Sequence, residues 1–119
     1  MKADESKIQQ AVMQWWAHAH AGLYCPEGLL FAIPNGGARH IATAVRLKRE
    51  GVRRGVPDLF LAAPNKSTYG LFIELKAGKA GRVSPDQQAM LSLLDSHGYS
   101  VEVCRNFDEA TQAITKHLT

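Results

Sequence analysis

Cysteine, long apolar runs and acidic side chains in the middle of the chain are all scarce in this 119-residue sequence. The two cysteines, Cys25 and Cys104, are too few and too far apart for a metal or redox motif. They read as ordinary thiols of a reducing compartment. The longest uncharged apolar runs, such as LLFAI at 29–33, fall far short of a bilayer's thickness. The opening residues MKADESKIQQ carry no apolar signal segment, so a cytoplasmic chain without a membrane partner is expected. Repeats, low-complexity tracts and linkers are also missing, which leaves a single domain over residues 1–119 with one core.

Acids are rare where bases are dense. From Arg39 to Arg82 ten lysines and arginines accompany three acids, a balance of +7 against −4 for the remainder. Two of those three acids, Asp58 and Glu74, sit in otherwise apolar segments. A basic field around a small carboxylate cluster suits a polyanion and a cation that bridges it to the protein. A solvated charged surface is the plainer reading of the same balance.

Periodicity gives the elements. Ile8, Ala11, Val12, Trp15, Trp16 and Ala19 follow helical spacing, so a helix is expected from about Asp4 to His20, capped by Asp4 or Ser6. Its two tryptophans are assigned to the core. GLLFAI at 28–33 reads as a buried strand stopped by Pro34. A glycine loop, PNGGARH, leads to a second helix over Ile41–Glu50 that ends at Gly51. DLFLAA at 58–63 and LFIELK at 71–76 form an antiparallel hairpin across the turn PNKSTYG. Ser84, Pro85 and Gln87 spell a capping box for a helix that stops at Gly98. YSVEVC at 99–104 is a strand, and Asn106 or Asp108 caps the last helix. The sum is an α/β fold with a mixed sheet of about four strands flanked by helices.

Within the hairpin, Glu74 and Lys76 are two residues apart and leave the same face of the sheet, while Ile73 and Leu75 point into the core. Asp58 begins the partner strand. Two converging carboxylates repel unless a cation sits between them, and oxygen ligands of this kind suit Mg²⁺ or Mn²⁺. The backbone carbonyl of Leu75 completes the protein's share of the shell. Such an ion activates water toward a phosphodiester, with the Lys76 ammonium beside it. Taken alone, Glu74 and Lys76 also read as a surface ion pair on an edge strand.

The wider text, "IPNGGARH…LKREGVRRGVPDLFLA…FIELKAGKAGRVSPDQQ", resembles the virus-type replication-repair nuclease (VRR-NUC) family of the PD-(D/E)XK superfamily. That resemblance implies a restriction-endonuclease-like core and metal-dependent cleavage of DNA. It further implies a homodimer acting on branched DNA such as four-way junctions, in a bacterial or phage-infected cell. By the same resemblance, Asp58 and Glu74 match the metal-binding acids and Lys76 the catalytic lysine. Glu5 matches an acid of the first helix that reaches the metal through water, or else it is an acid favoured by the helix dipole. Gln87 matches a polar residue beside the site, and the capping box accounts for it equally well.

For DNA contacts the sequence offers Arg53 and Arg54, then Lys79 and Arg82, and the loop residues Asn35, Gly36, Gly37, Arg39 and His40. The other four histidines show no metal-ligand spacing. A DNA-binding module that keeps the fold without cutting, and a nuclease of flaps or linear duplex, are the rival readings.

Overall fold

The computed structural model describes residues 2–20, 26–34 and 41–119. Helix α1 (Ala3–Trp15) continues as a π-helical turn over Trp16–His20. A 3₁₀ turn (Glu27–Leu29) leads into strand β1 (Leu30–Ala32), followed by α2 (Ile41–Arg49), β2 (Leu59–Leu61) and β3 (Leu71–Leu75). Helix α3 (Pro85–Ser96), strand β4 (Ser100–Cys104) and helix α4 (Phe107–Leu118) complete the chain. Each strand is shorter than the apolar run that carries it, because the run ends feed turns.

The sheet order is β1-β2-β3-β4. The β1–β2 and β2–β3 pairs are antiparallel and β3–β4 is parallel, so the sheet is mixed as the hairpin and the connecting helix require. The β2–β3 turn is held by Asn65, whose Oδ1 accepts from Ser67 N (2.9 Å), Thr68 N (2.7 Å) and Thr68 Oγ1 (3.1 Å).

One face of the sheet, carrying Leu30, Leu59, Leu61, Leu71, Ile73 and Leu75, packs with Val12, Trp16, Ala110 and Ile114 from the helical layer. Trp16 is fully buried and its Nε1–H donates to the Glu27 carbonyl at 2.7 Å, which answers the polar end of a core indole. The opposite face carries Phe60 stacked on Phe72, with ring centroids 4.2 Å apart, and Phe31 edge-on to Phe60.

Capping follows the sequence at two helices and departs from it at one. Ser84 and Gln87 form the capping box of α3, and Asn106 Oδ1 accepts from Glu109 N at 2.8 Å to cap α4. Helix α1 begins earlier than expected. Its N-cap is Lys2, which makes no side-chain cap bond, so Asp4 and Ser6 lie inside the helix. There Asp4 and Glu5 still face the favourable end of the dipole. Helix α2 buries none of its residues in the monomer, and Ile41 is 80% exposed.

Candidate metal and nucleic-acid site

Hairpin register builds the site. Leu59 pairs with Ile73, and Ile33 N donates to the Asp58 carbonyl at 2.8 Å. Ile33, Asp58 and Glu74 therefore lie in one row across the three strands, two residues beyond the row of Phe31, Phe60 and Phe72. A side-chain period of two puts both rows on one face. The edge-strand ion-pair reading fails here: β3 is an inner strand, and Glu74 is only 2% exposed.

The acids are tightly held. Asp58 Oδ2 accepts from Leu75 N at 2.7 Å. In a strand a residue's N–H and C=O point the same way, so the Leu75 carbonyl also faces the Asp58 side. Lys76 Nζ stands 3.5 Å from Glu74 Oε2, and Gln87 Nε2 donates to the same oxygen at 3.2 Å. Gln87 performs both roles the sequence offered it, since its Oε1 accepts from Ser84 N at 2.9 Å while its amide nitrogen reaches Glu74.

Burial and mutual repulsion show in the protonation of the pair. Burial pushes the Glu74 carboxyl up to about 8, helped by the Asp58 charge and opposed by Lys76. Asp58 is also raised, again first by burial, and the Leu75 N–H and a hydrogen bond from Glu74 pull it back. Without a cation, burial and mutual repulsion thus favour a proton held by the pair, with Glu74 the more strongly raised of the two.

A cleft of about 750 Å³ opens over this pair. Glu5, Asp58, Glu74, Lys76 and Gln87 line it, joined by Arg54 at its rim. Glu5 is itself buried, and its charge acts on Asp58. Arg53, Lys79 and Arg82 are exposed and do not line the cleft. Being next to the acids in sequence does not bring them into the cavity. Asn35, Gly36, Gly37, Arg39 and His40 lie outside the described residues. Lys2, Gln9, Ser84 and Asp86 also line the cleft, and sequence reasoning missed them. Gln9 had a findable signal, lying four residues after Glu5 on one helical face. Asp86 had none, because it arrives through the packing of Gly55 against the start of α3. Gly55 has φ +79°, and a Cβ there would collide with the Asp86 backbone.

The donor set fits a hard divalent ion. Two carboxylates and a carbonyl oxygen are what Mg²⁺ takes from a protein when waters and substrate phosphate supply the rest. Among the described residues no three His, Cys, Asp or Glu side chains gather into a complete cage.

Comparison with known proteins extends this picture. The family model described as the VRR-NUC domain matches residues 3–108. A solved structure described as a VRR_NUC domain protein has the same fold, with a TM-score of 0.84 at 24% identity. The alignment covers 99% of this chain and 90% of that one. No curated protein matches the chain. With 3–108 of its 119 residues matched and the fold shared, this chain belongs to the VRR-NUC family, a family of nucleases with a DNA-processing fold.

Proposed function

We propose that this protein is a divalent-metal-dependent endodeoxyribonuclease that hydrolyses phosphodiesters in branched DNA, four-way junctions among them. The observation that carries the reading is buried Glu74 beside half-buried Asp58, with Lys76 next to them, opening on a cleft within a basic stretch of chain. Asp58, Glu74 and the Leu75 carbonyl are the ligands this reading assigns to Mg²⁺ or Mn²⁺. Bound there, the cation supplies Lewis acidity that polarises the phosphodiester and makes water a better nucleophile near neutral pH. Lys76 then orients the attacking water or meets the negative charge that develops on phosphorus. Gln87 fixes the Glu74 carboxylate, and Asp58 is fixed by Leu75 N. In this reading Arg54, which lines the cleft, holds a flanking phosphate, and Arg53, Lys79 and Arg82 extend that contact outside the cleft.

Branched substrate and homodimer go together in this reading. A chain of this size covers little of a four-way junction, and a two-fold dimer offers two sites for paired incisions. The exposed Ile41, Val45 and Val52, on and just after α2, are apolar surface that a second copy would cover.

The test is a panel of labelled linear duplex, flap, splayed-arm and four-way-junction DNAs, incubated with Mg²⁺ or Mn²⁺. Fastest incision of the junction is expected. Faster incision of flaps or linear duplex would replace the substrate assignment. Binding without incision under either metal would leave a DNA-binding module in place of an enzyme.

A further inference from the structure

A loop over 77–84 joins Lys76 to the capping box of α3. Arg105, the first residue after β4, holds the turn of that loop at both ends. Its Nη1 donates to the Gly78 carbonyl at 2.9 Å and to the Gly81 carbonyl at 2.6 Å, and its own carbonyl accepts from Gly78 N at 3.2 Å. Arg105 is anchored in turn, since its N–H donates to Glu109 Oε1, in the first turn of α4, at 2.8 Å. The side chain is half-buried, and among the described residues the ion pairs are Arg46–Glu50 and Lys76–Glu74, so no carboxylate answers its charge. Its bonds go to the loop backbone instead, and hydrogen bonds from an ionised donor are the strong kind.

The clamp brings Gly81 back against Lys76. A Cβ at Gly81 would stand 3.1 Å from Lys76 Cβ and 3.3 Å from the Ala77 carbonyl oxygen, so the returning chain forms a wall at the root of the lysine side chain. Lysine has a flexible stem with many rotamers, and a wall at its root removes those that would clash. At the other end of the stem, Lys76 Nζ stands 3.5 Å from Glu74 Oε2. We propose that Arg105 is a positioning residue for Lys76: by pinning the carbonyls of Gly78 and Gly81 it keeps the loop against the Lys76 stem and so aims the ammonium at the acids. The inference rests on the reading of Lys76 as the residue that assists attack on the phosphodiester.

Single-turnover cleavage at saturating enzyme and Mn²⁺, on the DNA of the panel that the wild type cuts fastest, tests this. Saturation removes any contribution of the Arg105 charge to DNA affinity. Arg105→Met keeps a long stem and removes the donors, and a rate lower by about tenfold is expected. Gly81→Ala leaves Arg105 intact and should also lower the rate, because the added methyl displaces the Lys76 stem. In a Lys76→Ala background neither change should lower the rate further, since the group they position is gone. A purely structural loss, or a lost phosphate contact, would multiply through that background. Should Arg105→Met fail to fold, Gly81→Ala decides alone. Wild-type rate in either variant, or a loss that persists in the Lys76→Ala background, would overturn the inference and leave Lys76 in its role. A wild type that cuts no DNA, or Lys76→Ala cutting at the wild-type rate, would overturn both.

Discussion

At the scale of single residues, the proton on Glu74 makes the site measurable before any substrate is added. An isolated glutamate titrates at 4.5, and burial with Asp58 alongside raises Glu74 to about 8 in the folded chain. Between those values the folded state holds a proton that the unfolded state has released. Its contribution to stability is therefore complete below about 4.5 and is lost as pH rises through about 8. In EDTA, the melting temperature should fall across that window, and Glu74→Gln should flatten this part of the profile. A divalent cation competes with the proton, so Mn²⁺ should raise the melting temperature more at pH 8 than at pH 5.5. An equal shift at both values would contradict the assignment of Glu74 as a ligand. That Asp58, Glu74 and Lys76 share one face of the sheet was legible in sequence because strand alternation places charge and core on opposite faces. Lys2 and Asp86 were not, since their presence in the cleft comes from tertiary approach.

Among the elements, α3 and α4 tie stability to the site in different ways. Ser84 Oγ accepts from Gln87 N at 3.2 Å, which orients the first turn of α3 and with it the amide that reaches Glu74. Ser84→Ala should cost about 1 kcal/mol in chemical denaturation, as loss of an N-cap does. A modest fall in cleavage rate should accompany it, because Gln87 is less firmly held. At the far end of the sheet, His117 on α4 is buried, and its Nε2 donates to the Ala63 carbonyl at 2.6 Å while Nδ1 accepts from Asn65 Nδ2 at 3.0 Å. The Asn65 amide cannot turn over freely, since its Oδ1 already caps the hairpin turn. His117→Ala strands the Ala63 carbonyl and opens a void. A loss of roughly 2–3 kcal/mol is expected, with Mn²⁺ affinity retained because the site lies elsewhere. Sequence patterning located the helices and strands, and capping chemistry explains why α3 and α4 begin where expected. It misplaced the start of α1, where no side chain caps the helix and the boundary is set by packing. The link between His117 and Asn65 spans 52 residues, and no local pattern could announce it.

On the scale of the whole molecule, the sheet is a frame with two faces of different chemistry. Aliphatic side chains between sheet and helices hold one face together, while the other carries the aromatic row and, two residues along the strands, the acids. The mixed α/β class was legible from the alternation of elements and the short hairpin turn. Assembly was not, because an exposed apolar side chain looks the same in sequence whether solvent or a second copy covers it. Light scattering at micromolar concentration should give twice the chain mass, and Val45→Lys on the exposed side of α2 should return it to the monomer. A monomeric wild type would separate the junction assignment from any two-fold arrangement. In the proposed reaction Lys76 acts on the phosphodiester chemistry and not on the binding of the ion. Single-turnover cleavage of a labelled four-way junction by Lys76→Ala, paired with Mn²⁺ calorimetry on the same preparation, tests it most directly. A rate lower by about 10²–10³-fold with metal affinity close to wild type is predicted. Undiminished cleavage in that variant would contradict the account.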